Sequence, residues 1–437
     1  MTGRRQHCRR LSARAHLSGA AYVMAVADAD DVRLDFRGLL AAVETAPPVE
    51  AVDVLAVELA RMLDATEVSL LLANRSGTAA VRMSHVTASD GDIADGRNER
   101  TESLPLEGSV HHRVLTSQEP HVESHGAGWR VLVPVTERGD AIGILELTVP
   151  QRPDTETLRY LRSAGHALAY TLIASRRHTD LFEWAQRDVP FSLAAEIQRR
   201  LLPDSYTVEG GPFTLAGWLE PAATVAGDTF DYAVDREYLY ASVTDAMGHA
   251  IPAALLATLT VGSLRNSRRS VASPGEQADA ANAALIAGAA SDQFVTGQIL
   301  RVRLADGAVD IVNAGHPQPY LLRAGTAAAV DVQPGLPLGV APDPYDTHRL
   351  TLEPDDRLLI VTDGFLERNG NLAISDILVK SADRHPREVV RELARNLLAA
   401  TGGNLRDDAT ALCIDWYGPH GVRNATAGAS LDRATPN

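Results

Sequence analysis

The chain is 437 residues long, 45% hydrophobic, and carries a formal net charge of −15. That length points to two domains plus tails, and the acid excess excludes a general nucleic-acid binder, because phosphate contacts need clustered Lys and Arg. No apolar run approaches the ~20 residues of a membrane helix, so neither a nucleic acid nor a membrane is an expected partner.

Basic side chains are almost all arginine, with Lys380 the single lysine. Cys8 and Cys413 lie too far apart in sequence for a disulfide framework or a zinc spacing, and a reducing, cytoplasmic setting fits. Residues 1–32 begin with Arg4, Arg5, Arg9, Arg10 and Arg14, and the apolar stretch behind them lacks a signal-peptide core. They read as a disordered tail, with Met24 as an alternative start.

Helices are predicted over 33–43, closed by Pro47 and Pro48, and over 49–63, where Val52, Leu55, Ala56, Leu59 and Met62 recur at helical spacing. Strand-like VSLLLAN and AAVRMSHV flank the turn RSGT, and polar 87–103 reads as a loop. A short helix at 108–116, a hairpin of WRVLVPV and AIGILELTV around the charged turn ERGD, and a helix over 155–176 follow. His111 and His112 are neighbours on that short helix and point about 100° apart, so they cannot share one metal as an i, i+4 pair could. They read as surface histidines.

This order resembles a GAF sensory domain over about 49–176, within a first domain of 33–176. The resemblance implies an α/β sensory unit for a ligand the sequence does not name. The region holds no Cys, which removes the usual covalent bilin attachment. Residues 177–203 form a helical linker broken at Pro190, in which Leu193, Ile197 and Leu201 share one face; this helix is expected as a switch or a homodimer contact.

Over 204–416, strand candidates FTLAGWLEP, YLYASVTD, QFVTGQILRVRL, AVDIVNAG, PYLLR, HRLTLE, DRLLIVTDG and ATALCIDW alternate with helices at 252–268, 275–289 and 387–400. The expected fold class is α+β, a β-sandwich flanked by helices. Residues 417–437 read as a disordered tail.

Four places in this second domain set a carboxylate beside a Gly or another acid at a turn: VAGDTFD, VTDAMGHA, VTDGFLE and RDDAT. A lone Asp at such a place can cap the following helix or bind a metal from a rigid strand end. Four together favour metal binding, since hard divalent cations take oxygen ligands from converging carboxylates. No candidate nucleophilic Cys motif is present, nor a Gly-rich phosphate loop with an attendant Lys.

The segments AEIQRRLLP, VAGDTFDY, VTDAMGHAIPAALLA, FVTG, VNAGHPQPYLL, GLPLGV, LLIVTDGFLE and DDATALCI follow the order and spacing of PPM-type metal-dependent serine/threonine protein phosphatases. The branch resembled is that of the stage II sporulation (SpoIIE-like) phosphatase and the bacterial phosphatases that regulate anti-sigma-factor antagonists. By that resemblance two Mn²⁺ or Mg²⁺ ions are held by Asp228, Asp245, the carbonyl of Ala246, Asp363 and Asp407. Asp245 bridges both ions, and Asp228 acts partly through water. Asp231 and Asp408 are expected to support rather than ligate. Activated water would attack a phosphoserine or phosphothreonine, with the phosphorylated antagonist as protein partner.

His249 and His316 are candidates for leaving-group protonation but read better as turn stabilisers. The sequence departs from the family at Ala226 and Ala250, where Gly is usual, and after Glu367, where an insertion is compressed into RNGNLAISDILVKS. An inactive phosphatase-fold binding module is the alternative function.

Overall fold

A computed structural model describes residues 36–74, 77–87, 103–182, 192–222, 227–270, 272–290, 292–366 and 373–421. The expected tails at 1–32 and beyond 421, most of the loop at 87–103, and the linker break at Pro190 lie outside these residues.

The N-terminal unit starts with helices α1 (Phe36–Thr45) and α2 (Ala51–Leu63). The buried face of α2, Val52, Leu55, Ala56 and Leu59, is the one its spacing predicts. Strands β1 (Glu67–Ala73), β2 (Ala79–Thr87) and β3 (Ser103–Pro105) precede α3 (Val110–Ser117), and β4 (His121–His125), β5 (Gly128–Glu137) and β6 (Asp140–Val149) precede α4 (Thr155–Ser175). They build one six-stranded sheet in the order β3-β2-β1-β6-β5-β4. Side chains alternate along its strands, so Val68, Leu70 and Leu72 join Val131, Val133 and Leu145 under α2 and α4, while Leu71, Leu132 and Ile144 pack with Val114 and Leu115 of α3 on the opposite face. Short strands β3 and β4 carry little apolar alternation, which is why sequence patterning passed over them.

The C-terminal unit opens with α5 (Leu193–Leu201), capped by Ser192, whose side chain accepts from the Ala195 amide. Next come β7 (Thr207–Glu209), β8 (Phe213–Glu220), β9 (Asp228–Val234), β10 (Tyr238–Ala246), α6 (Ala250–Arg268) and α7 (Pro274–Gly288). Strands β11 (Val295–Arg303), β12 (Ala308–Ala314), β13 (Tyr320–Arg323), β14 (Thr326–Ala329), β15 (His348–Thr351) and β16 (Arg357–Val361) lead to α8 (Ile374–Lys380), α9 (Pro386–Thr401) and β17 (Ala409–Trp416).

Two antiparallel sheets result, β15-β12-β11-β10-β9 and β14-β13-β16-β17-β8-β7. Phe213, Phe230, Val243, Leu300, Ile360, Leu412 and Ile414 fill the space between them. The alternate residues of β17, Ala411 and Cys413, turn outward to Leu378 of α8 and to Val389 and Leu393 of α9, and Leu256 and Ala257 of α6 cover the other sheet with Ala278 and Ala281 of α7. The class is therefore α+β, with sheets inside and helices outside. Among the described residues, no helix is long and apolar enough to cross a membrane.

Candidate active site

Strand pairing brings the first two acids together. In the β9–β10 register Asp245 stands directly opposite Asp228, and opposed like charges repel. Asp245 lies inside β10, and the N-cap position of α6 belongs to His249. The capping reading of Asp245 is thereby removed.

Asp228 is 2% exposed. Burial, with the charges of Asp245 and Asp408 behind it, holds its carboxyl well above the usual carboxylate range. The hydroxyl of Thr362 donates to Asp228 Oδ2 at 2.8 Å and in turn accepts the amide of Thr410 at 2.9 Å. Thr362 sits between β16 and the short 3-10 turn Asp363–Phe365, so this one hydroxyl ties the two sheets together at the acid cluster. A Cβ on Gly364 would collide with the Asp408 carbonyl; only glycine lets Asp363 and the Asp407-Asp408 pair come this close. Gly227 is constrained the same way by the carbonyl of Ala246.

Asp408 is buried and acts as a hub. It accepts from the Ala222 amide (2.8 Å), the Gly227 amide (3.3 Å) and Gln198 Nε2 (2.6 Å). Burial nevertheless raises its pKa. Gln198 also donates to the backbone carbonyl of Asp228 at 2.8 Å, so α5 touches the cluster directly. On the face shared by Leu193, Ile197 and Leu201, Leu193 is 64% exposed while Ile197 and Leu201 pack against neighbouring helices, and the buried positions are Ala194 and Gln198. Small Ala194 seats on Ala254 of α6, and that close approach lets the Gln198 amide reach the acids. An amide in a run of Arg and Leu offers no period that would mark it.

Asp231 is not part of the cluster. Its carboxylate takes Arg265 at 2.8 Å and Arg268 at 2.9 Å, while Arg265 also holds the Leu201 carbonyl; the triad fastens α5 and α6 to β9.

His316 is buried, and burial lowers its pKa to about 3, so the ring is neutral near pH 7 and is no imidazolium donor. Its backbone amide donates to Asn313 Oδ1 and its Nδ1 faces Thr296 Oγ1, a loop-shaping role. His249 is exposed and makes no side-chain capping bond. Its turn is set instead by the Met247 amide on the Phe294 carbonyl and by positive φ at Gly248 and Ala250. Ala250 at φ 58 costs about 1 kcal/mol where glycine costs nothing. His111 and His112 are partly buried rather than on the surface, and His111 bonds Glu146 at 2.8 Å.

Among the described residues, no group of three His, Cys, Asp or Glu side chains stands close enough together to hold an ion. The donor set still fits a hard divalent cation: all oxygen, from acids on strands, a turn and a loop, with one buried carboxylate destabilised by burial and by its acidic neighbours.

Two facing sheets jacketed by helices, with acids gathered where a threonine ties the sheets, define an α+β sandwich with an anionic site. Residues 235–417 match the family model of Stage II sporulation protein E (SpoIIE). Phosphoserine phosphatase RsbU of Bacillus subtilis (strain 168) is 24% identical over 238 residues, which make up 51% of this chain and 68% of that relative. The RsbU and RsbW domains of a Mycobacterium tuberculosis protein align at TM-score 0.44 and 24% identity, covering 49% of this chain and 63% of that one. The catalytic domain of the serine/threonine phosphatase PstP, solved with two manganese ions, aligns at TM-score 0.38 and 16% identity over 46% of this chain and 97% of its own. The C-terminal unit thus carries the match to the SpoIIE family and is homologous to a phosphoserine phosphatase.

Proposed function

We propose that the C-terminal unit hydrolyses phosphoserine or phosphothreonine on a regulatory protein, and that the N-terminal unit is a GAF-like sensory module that controls it. The relationship to RsbU supports an anti-sigma-factor antagonist as the substrate protein. The observation that carries the reading is buried Asp228, repelled by partly buried Asp245 and buried Asp408, because such a set is costly unless it has a cationic task.

Asp228, Asp245, Asp363, Asp407 and the Ala246 carbonyl would hold two Mn²⁺ or Mg²⁺ ions. Bound there, divalent cations acidify water and offset the charge of a phosphoryl group. The chain's own part is positioning. Thr362 fixes the Asp228 carboxylate, Gly364 admits Asp363 beside Asp408, and Gln198 braces Asp228 and Asp408 from α5. Neutral His316 shapes the loop and carries no proton to the leaving hydroxyl. Because Gln198 rides on the helix that follows the linker, a shift of α5 would loosen both acids at once, which supports α5 as the element of control.

The direct experiment is phosphate release from a phosphoserine-bearing antagonist protein, with and without Mn²⁺. Metal-dependent turnover is expected, and its absence in saturating Mn²⁺ would sink the reading. The rival, a binding module without turnover, draws on the acids' separation among the described residues; tight phosphoprotein binding with no release would select it.

A further inference from the structure

The charged turn ERGD of the β5–β6 hairpin has no part in the acid cluster, yet the C-terminal unit bonds to three of its four residues. Its backbone meets the C-terminal unit in succession. The Glu209 amide of β7 donates to the Arg138 carbonyl at 2.9 Å. Arg387, in the first turn of α9, donates through Nη1 to the Gly139 carbonyl at 2.7 Å and through Nη2 to the Thr116 carbonyl of α3 at 2.9 Å. Ser205 donates to the Asp140 carboxylate at 2.9 Å.

Shape agrees with bonding. Gly139 has φ +84, and a Cβ there would stand 2.8 Å from the Glu209 side chain, so the turn enters a socket with no space for a larger residue. The Arg387 side chain is 3% exposed and is neutralised by Glu388 at 2.9 Å. A guanidinium buried this far, with two donors committed to carbonyls of the other unit, is an expensive way to make only local structure. His385 caps α9 by accepting the Arg387 amide on Nδ1, which leaves Nε2 facing Glu209. Beside the socket lies a cavity of about 60 Å³ lined from both units, by Asn74, Asp140 and Arg176 on one side and Asp204, Thr207 and Arg391 on the other. It has room for a few waters. A polar contact beside a cavity of this kind resembles a transient interface more than a core.

We infer that the hairpin turn at residues 137–140 is a releasable plug and that Arg387 is its latch, linking the two units in parallel with the covalent route through α5. Two connections make a lever. The plug seats on β7 and on the first turn of α9, whose last turn leads through Gly402 to Asp407 and Asp408. This holds whether or not the C-terminal unit turns over phosphate, since it concerns how the units are joined.

The Glu209 amide reports the latch directly, because its hydrogen-bond acceptor belongs to the other unit. Hydrogen exchange of the full chain is compared for the wild type, Arg387→Met, which keeps the apolar stem and loses the donors, and Asp140→Ala. Peptides covering 205–210 and 136–141 should exchange at least tenfold faster in Arg387→Met and to a lesser degree in Asp140→Ala, while β1 and β17 keep their protection. Should Arg387→Met also loosen β17, and so report misfolding, Asp140→Ala decides alone. Unchanged exchange at Glu209 in a folded Arg387→Met, or in Asp140→Ala where that variant decides, overturns the latch.

Discussion

Two groups of charged side chains sit on β-sheets of this protein and have opposite electrostatic characters. On the N-terminal sheet Glu146, Arg130, Glu123 and His121, joined by His111 from α3, form a ladder in which every acid has a base. Burial opposes charge on Glu146, yet hydrogen bonds from His111 and Arg130 win and lower its pKa to about 2. Between the C-terminal sheets Asp228 meets Asp245 and Asp408, and its carboxyl is pushed the other way. The first cluster supplies its own counter-charge and is complete. In the second, the charges pressing on buried Asp228 are those of its acidic neighbours, a pattern that points to a ligand rather than to the fold.

Neutralising one acid of the second cluster should have the largest effect. Asp245→Asn is expected to lower Mn²⁺-dependent phosphate release by at least about 100-fold without changing the melting of the N-terminal unit; turnover near wild type would erase the contrast. Gln198→Ala should follow, with a loss of about 10- to 100-fold, the range for partners that orient ligands, measured as kcat at saturating Mn²⁺. Calorimetry with metal at about 100 times its Kd should show the C-terminal unit stabilised by about 2.7 kcal/mol, and no such gain in Asp245→Asn.

The smallest effects compare the clusters with each other. In metal-free protein Asp228→Asn removes a repelled charge and should leave the C-terminal unit as stable as before, or more so by about 1 kcal/mol. Glu146→Gln removes a satisfied one and should cost the N-terminal unit about 1 kcal/mol after solvent screening.

Their pH dependences should be opposite in sign. The stability that Glu146 lends is present above its ordinary 4.5 and is lost as pH falls toward about 2. For Asp228, whose folded pKa is raised, the metal-free contribution is greatest below the ordinary carboxylate value of 3.8 and is lost as pH rises through the folded pKa. Acid unfolding curves of the two single variants would show parallel limbs if the contrast were absent.

Strands of the sandwich were legible wherever apolar alternation was strong, as in YLYASVTD and ATALCIDW. Strand β9 was hidden, because DTFDYAV carries acids where a pattern expects apolar side chains, and those acids face the site and the Arg265–Arg268 clamp. The carboxylates could be found from their turns. Their supports could not: Gln198, Thr362 and Arg387 act through bonds spanning 30 to 271 positions, and no local period encodes a partner that distant. The ERGD turn could be placed as a hairpin, but its socket is made by residues far down the chain.

Strand β17 has a consequence for the order of assembly. It lies between β16 and β8, and pairs Ala409 with Glu220 and Trp416 with Phe213. During synthesis β8 therefore waits for nearly two hundred further residues before its neighbour exists, with its edge unsatisfied throughout. The acids at Asp407 and Asp408 arrive on the same late segment, so the acid-bearing end cannot form before the sheet closes. An immature chain thus lacks the assembled acid cluster, and its longest exposure to aggregation falls in the interval before its final strand is added.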